Sequence, residues 1–163
     1  MPDAWDTSVA SRIAVGERHA PLLAMHLRNG VPVALPAPTV QEIVRGLAAP
    51  AVNREPTRRK IRWFAGLFRD PLTIVVPFDR RAAVIAGRLL ARHAHPPTRN
   101  HRRHGTRAQQ RAAWALDVQI AACAFAGGYG LLTENVDDFA VLRDAIAELL
   151  PATPPLAVTD GRG

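Results

Sequence analysis

Cysteine is nearly missing from this chain: Cys123 is the only one in 163 residues. No intramolecular disulfide can form, so the fold must rest on a packed core, and a reducing, cytoplasmic setting is the natural expectation. Cys123 itself falls on an apolar stretch and reads as packing. Lysine is as scarce, with Lys60 alone against twenty arginines. Acidic residues are absent from the whole interval between Asp79 and Asp117, which holds Arg80, Arg81, Arg88, Arg92, Arg99, Arg102, Arg103, Arg107 and Arg111. No apolar run reaches the roughly 20 residues of a membrane-spanning helix. The start, Met1-Pro2-Asp3-Ala4-Trp5-Asp6, has neither the basic residues nor the apolar core of a secretory signal. Also missing are Gly-x-Gly-x-x-Gly and Gly-Lys-Ser/Thr, which removes the main support for a nucleotide cofactor.

What remains is a globular composition. An apolar fraction of 48% over 163 residues, broken at regular intervals by turn residues, suits a single domain spanning 1–163. The formal charge of +7 is concentrated in the acid-free interval, which implies a polyanionic partner: nucleic acid or an acidic protein.

Short apolar strands are expected near residues 4, 32, 73, 132 and 157, with helices between them. Ala4-Trp5 is a minimal first strand, and Asp6-Thr7-Ser8 turns into a helix packing Val9 and Ile13. A second helix runs from about Glu17 to Asn29. Val31 to Leu35 is a strand, followed by a helix with Val40, Ile43, Val44 and Leu47 at helical spacing. A fourth helix from about Asn53 to Phe68 crowds Arg58, Arg59, Lys60 and Arg62 near its apolar face. Leu72 to Val76 is the clearest strand, β-branched and uncharged, as when helices cover both faces of a parallel sheet. Asp79 caps a fifth helix. From Arg92 to Arg107 two prolines and a glycine interrupt the pattern, giving a basic loop rich in His and Arg. His93, His95, His101 and His104 lie in it, but without cysteine they make a poor structural zinc site, and phosphate contacts suit them better. The helix through Asp117 to Phe125 stops at Gly127-Gly128, and Leu131 to Thr133 is a buried strand leading to a helix that begins at Asn135. The expected fold is a three-layer α/β/α sandwich with a mostly parallel sheet of about five strands.

Polar residues gather where strands hand over to helices. In a parallel sheet such positions converge on one crevice at the carboxyl edge. Asp6, Glu42, Thr133, Asn135 and Asp138 stand there, and Asp117 joins them from its own helix start. Each also has a purely structural account. Asp6 and Asn135 are good helix caps, Asp138 is an acid in a first turn, and Thr39-Val40-Gln41-Glu42 has the spacing of a capping box.

Four segments in this order, Asp6-Thr7-Ser8, Pro38-Thr39-Val40-Gln41-Glu42-Ile43, Asp117-Val-Gln-Ile-Ala-Ala, and Thr133-Glu-Asn135-Val-Asp-Asp138-Phe139, resemble the PIN-domain ribonucleases, most of all the VapC-type toxins of toxin–antitoxin pairs. The resemblance covers nearly the whole chain. It implies a PIN-like fold and a metal-dependent endoribonuclease that hydrolyses RNA with Mg²⁺ or Mn²⁺. Asp6, Glu42 and Asp117 match the family's metal-holding acids, with Asn135 or Asp138 completing the catalytic set. Thr7, Ser8 and Thr133 match supporting polar positions. It also implies a cognate antitoxin and a homodimer. Arg58, Arg59, Arg62, Arg102 and Arg103 are the candidates for RNA phosphates. The competing reading is a non-catalytic module on the same fold that binds RNA or an acidic protein. The short first strand and the long loop at 92–107 depart from the family pattern.

Overall fold

The computed structural model describes residues 1–48, 55–96 and 105–162. Within them one sheet has the order β3-β2-β1-β4-β5, every neighbouring pair parallel. The strands are β1 (Asp3–Trp5), β2 (Val33–Pro36), β3 (Thr73–Val76), β4 (Gly130–Thr133) and β5 (Val158–Asp160). The helices are α1 (Thr7–Ala10), α2 (Ala20–Arg28), α3 (Ala37–Leu47), α4 (Glu55–Leu67), α5 (Arg80–Arg92), α6 (Arg107–Ala126) and α7 (Val136–Leu149). The sheet is thus wholly parallel and has the five strands expected. Among the described residues no helix is long and apolar enough to cross a membrane.

Side-chain alternation along the strands builds two cores. Ala4, Ala34 and Leu131 face one side, where they meet Leu89, Trp114, Ile120, Phe139 and Ile146 of α5, α6 and α7. Trp5, Val33 and Leu35 face the other, where Val9, Leu23, Ile43 and Phe64 of α1 to α4 cover them. That is the three-layer arrangement. The first strand is short and of poor propensity, yet it is the central one. Its residues pair with β2 and β4, and Ala4 and Trp5 are fully buried, so tertiary burial overrides local preference.

Several local expectations fail for identifiable reasons. Among the described residues β3 is an edge strand with β2 as its only neighbour, and Ile74 and Val75 are 39% and 43% exposed rather than covered on both faces. α1 ends at Ala10, so Ile13 is buried beyond the helix, and α2 starts at Ala20 instead of Glu17. α3 starts at Ala37. Thr39 therefore lies inside the helix, fully buried, with a hydroxyl that has no hydrogen-bond partner, and no capping box forms with Glu42. The capping box that does form lies at Thr106, whose hydroxyl accepts the Gln109 N–H while Gln109 Oε1 accepts the Thr106 N–H. Consequently α6 begins well upstream of Asp117, which sits in mid-helix rather than near a helix start. The helix ends as expected, with Gly127 at the cap and Gly128 at φ 75°, a left-handed conformation that suits glycine. The expected start of α4 near Asn53 and residues 97–104 of the His/Arg loop, His101 and His104 among them, lie outside the described residues.

Candidate metal and nucleic-acid site

The strand order reverses direction at β1. The chain leaves β1 for β2 on one side and returns later to β4 on the other, and in open parallel sheets ligands bind beyond the carboxyl ends of strands at that point. Asp6 directly follows β1, and Thr133 ends β4. The Asp6 N–H donates to Leu132 O at 2.9 Å, which holds the two strand ends together. The Asp6 side chain is buried, with the residue only 4% exposed. Its Oδ2 accepts the Thr133 hydroxyl at 2.8 Å, the Ser8 hydroxyl at 2.8 Å and the Ser8 N–H at 3.3 Å. Burial pushes its carboxyl above the usual range, against the opposing pull of the Ser8 and Thr133 hydroxyls and the Thr7 and Ser8 backbone. Asp6 does cap α1, but that helix has four residues, and a cap alone does not justify a buried carboxylate.

Each hydroxyl that donates to Asp6 also accepts a backbone N–H from the β4–α7 turn. Thr133 Oγ1 takes Asn135 N–H at 2.9 Å and Ser8 Oγ takes Glu134 N–H at 2.9 Å. Asn135 does not use its side chain as a cap; its Nδ2 donates to Asp138 Oδ2 at 2.9 Å. Asp138 is fully buried and Asn135 half-buried, so Asn135 is the outer member of the pair. Thr133→Val keeps the volume but removes the hydroxyl's bonds to Asp6, Asn135 and Ser8. It is expected to cost about 1–3 kcal/mol by denaturant titration, and a cost near zero would show that the Asp6 carboxylate does not depend on Thr133.

Glu42 lies in the second turn of α3 and Asp117 in the middle of α6, two helices that pack on each other. Glu42 is partly exposed, 3.7 Å from Arg45, and lines a cleft of about 240 Å³ with Thr7, Ser11 and Lys60. Asp117 is half-buried. Thr7 and Thr39 contribute buried hydroxyls that no described group satisfies. The donors here are carboxylates, hydroxyls and an amide, the hard oxygen set that suits Mg²⁺ or Mn²⁺. Among the described residues, however, no three His, Cys, Asp or Glu side chains stand close enough to form a ready-made metal cluster. Mg²⁺ commonly takes only one or two carboxylates and keeps several waters, so the donor types still fit it.

Beside this centre is a group that sequence reasoning passed over. Glu134, 15% exposed at its side chain, meets Arg12 at 3.1 Å, Arg18 at 3.2 Å and His19 at 2.7 Å. The only sequence signal was its place between Thr133 and Asn135. Of the expected phosphate contacts, Arg58 and Arg59 are exposed on α4, and Arg62 is exposed but paired with Glu55 at 3.0 Å. Arg102 and Arg103 lie outside the described residues. Burial, and then the charge of Asp79, push the Cys123 thiol up to about 12, in keeping with a packing role.

A family model described as PIN domain matches residues 5–145. No curated protein matches the sequence. Among solved structures, similar chains occur in VapBC2 from Rickettsia felis bound to a DNA fragment from its promoter, at 16% identity, TM-score 0.60 and 98% coverage of each chain. DNA-bound VapBC from Salmonella typhimurium is similar at 18% identity and TM-score 0.60, with 99% of each chain covered. FitAcB from Neisseria gonorrhoeae is similar at 20% identity and TM-score 0.60, covering 98% of this chain and 97% of that one. At these identities the likeness is one of fold.

Proposed function

Because the chain belongs to the PIN-domain family, we propose that it is a Mg²⁺- or Mn²⁺-dependent endoribonuclease that hydrolyses RNA phosphodiester bonds as the toxin of a type II toxin–antitoxin pair. The observation that carries this reading is Asp6: a buried carboxylate at the sheet's switch point, braced by three hydrogen bonds on one oxygen, with no described basic side chain neutralising it. Its ionised form calls for a cation.

Asp6, Glu42 and Asp117 would hold the metal, and Asn135 would complete the catalytic set over Asp138. When bound, the ion supplies positive charge to phosphate oxygens and makes an attacking water more acidic. The protein does the orienting. Ser8 and Thr133 fix Asp6 Oδ2 through their hydroxyls. Thr7 and Thr39 bring hydroxyls to the acidic helices. The charge of +7 supports RNA as the substrate. An antitoxin partner follows from the resemblance to VapC-type toxins, and the VapBC and FitAcB neighbours agree with it. The exposed Ile74 and Val75 on the edge strand β3 suit a homodimer.

A non-catalytic RNA-binding or protein-interaction module on the same fold is favoured by one observation, the absence of a ready-made metal cluster among the described residues. Mn²⁺ titration separates the two. The metal is expected to raise the thermal unfolding midpoint of the wild type, and Glu42→Gln and Asp117→Asn are each expected to weaken the ion's affinity at least about tenfold. Equal Mn²⁺ affinity in all three proteins would speak for the module.

A further inference from the structure

Arg12 and Arg18 share one carboxylate at the very edge of the acidic crevice. Glu134 Oε1 takes Arg18 and His19, and Oε2 takes Arg12. The Glu134 backbone is itself fixed, since its N–H donates to Ser8 Oγ, which donates to Asp6. The segment bearing the arginines is tied down as well, with the His19 N–H on Arg12 O at 2.8 Å. Both guanidiniums remain 49% exposed at the side chain. Arg18 also donates to the Arg162 carbonyl oxygen at 3.0 Å. Arg162, beside it, spends its charge on a bidentate pair with Asp160, so two cations, Arg12 and Arg18, lean on the one carboxylate of Glu134, whereas Lys60 is paired singly with Glu17 and Arg62 with Glu55.

The two arginine pairs, half exposed on the cation side, add little stability. As a holder of phosphate the arrangement is well made. A guanidinium has five N–H donors in a planar fork, and a carboxylate that occupies one side aims the rest outward without the entropy of a free arginine. A polyanion approaching a crevice that holds the buried Asp6 carboxylate also needs cations at the rim to offset repulsion.

We propose that Arg12 and Arg18 grip backbone phosphates of the RNA on the β4 side of the crevice, with Glu134 as the positioning residue that aims them; this rests on the nuclease reading above. Neither arginine is among those chosen from the sequence, which are Arg58, Arg59, Arg62, Arg102 and Arg103.

The test uses the full chain carrying Asp117→Asn, to keep RNA intact, with Mg²⁺ and a fluorescently labelled single-stranded oligoribonucleotide of mixed sequence. Affinity is read by anisotropy between about 50 and 200 mM salt. Arg12→Ala and Arg18→Ala are each expected to reduce the slope of log affinity against log salt by about 0.7, and the pair by about 1.4. Glu134→Gln keeps both cations but releases them, so the slope should hold while affinity falls several-fold. Unchanged slopes in the alanine variants overturn the proposal whatever their thermal midpoints, because a merely structural tie alters stability and leaves salt dependence alone. Unchanged affinity in Glu134→Gln removes the positioning role. If the chain without these substitutions neither binds nor cleaves RNA, the nuclease reading falls first; if it does both and the slopes hold, only the phosphate grip falls.

Discussion

Asp6→Asn is expected to lower metal-dependent RNA cleavage at least about a hundredfold while leaving the metal-free protein no less stable at neutral pH. The two effects have one cause. Asn offers a carbonyl oxygen to the Ser8 and Thr133 hydroxyls that now meet Asp6 Oδ2, so the local bonds survive, but the charge for a cation is gone. Because burial raises the folded carboxyl above its ordinary 3.8, the folded state binds the proton more tightly than the unfolded state. The stability linked to Asp6 is therefore fully present below pH 3.8 and is lost as pH rises through the folded value. In chelator, unfolding midpoints across this range should show that loss in the wild type and its absence in Asp6→Asn. Added Mn²⁺ should restore the wild type alone. A variant that cleaves RNA at the wild-type rate, or that is strongly destabilised in chelator at pH 7, would contradict the reading of Asp6 as a carboxylate kept for a cation.

Trp114→Ala is expected to have the largest effect on stability, about 3–5 kcal/mol. Trp114 is fully buried in the core made by α5, α6 and α7, and its indole N–H donates to His93 O at 2.6 Å, beyond the last turn of α5. Removing it empties a large volume between two helices that pack closely and leaves that carbonyl unsatisfied. Against a typical domain stability of about 5–15 kcal/mol, the variant should be marginal. Trp114→Phe separates the two contributions, since it keeps most of the ring and should cost about 1–3 kcal/mol for the lost hydrogen bond. Denaturant titration in chelator measures both. A loss under about 1 kcal/mol for the alanine variant would mean that this part of the core is not packed as described.

The fold was largely legible because its signals are local. Gly127-Gly128 marked the end of α6, Asp79 the start of α5, and the apolar runs near 32, 73, 132 and 157 the strands. Strand order was not legible. Nothing local says that the weak segment Asp3–Trp5 is the centre of the sheet or that the strongly β-prone Thr73–Val76 is its edge, since neighbours decide both. Within the site, the hydrogen bonds of Asp6 with Ser8 and Thr133 join residues that the resemblance to PIN-domain ribonucleases had grouped. Thr39 and Glu42 had the spacing of a capping box, but Pro36 and Pro38 allow α3 to start earlier, which leaves Glu42 without that structural account. Glu134 was missed because its partners, Arg12, Arg18 and His19, lie more than 100 residues away in sequence, and no spacing rule links them.

The most direct measurement is cleavage of total cellular RNA by the purified, antitoxin-free protein in Mg²⁺ or Mn²⁺, with a chelator lane and an Asp117→Asn lane beside it. Discrete fragments in the metal lanes that vanish in both controls are the predicted result. Intact RNA in every lane from folded protein that binds Mn²⁺, or fragments that persist in chelator and in Asp117→Asn, would contradict a metal-dependent ribonuclease built on these carboxylates.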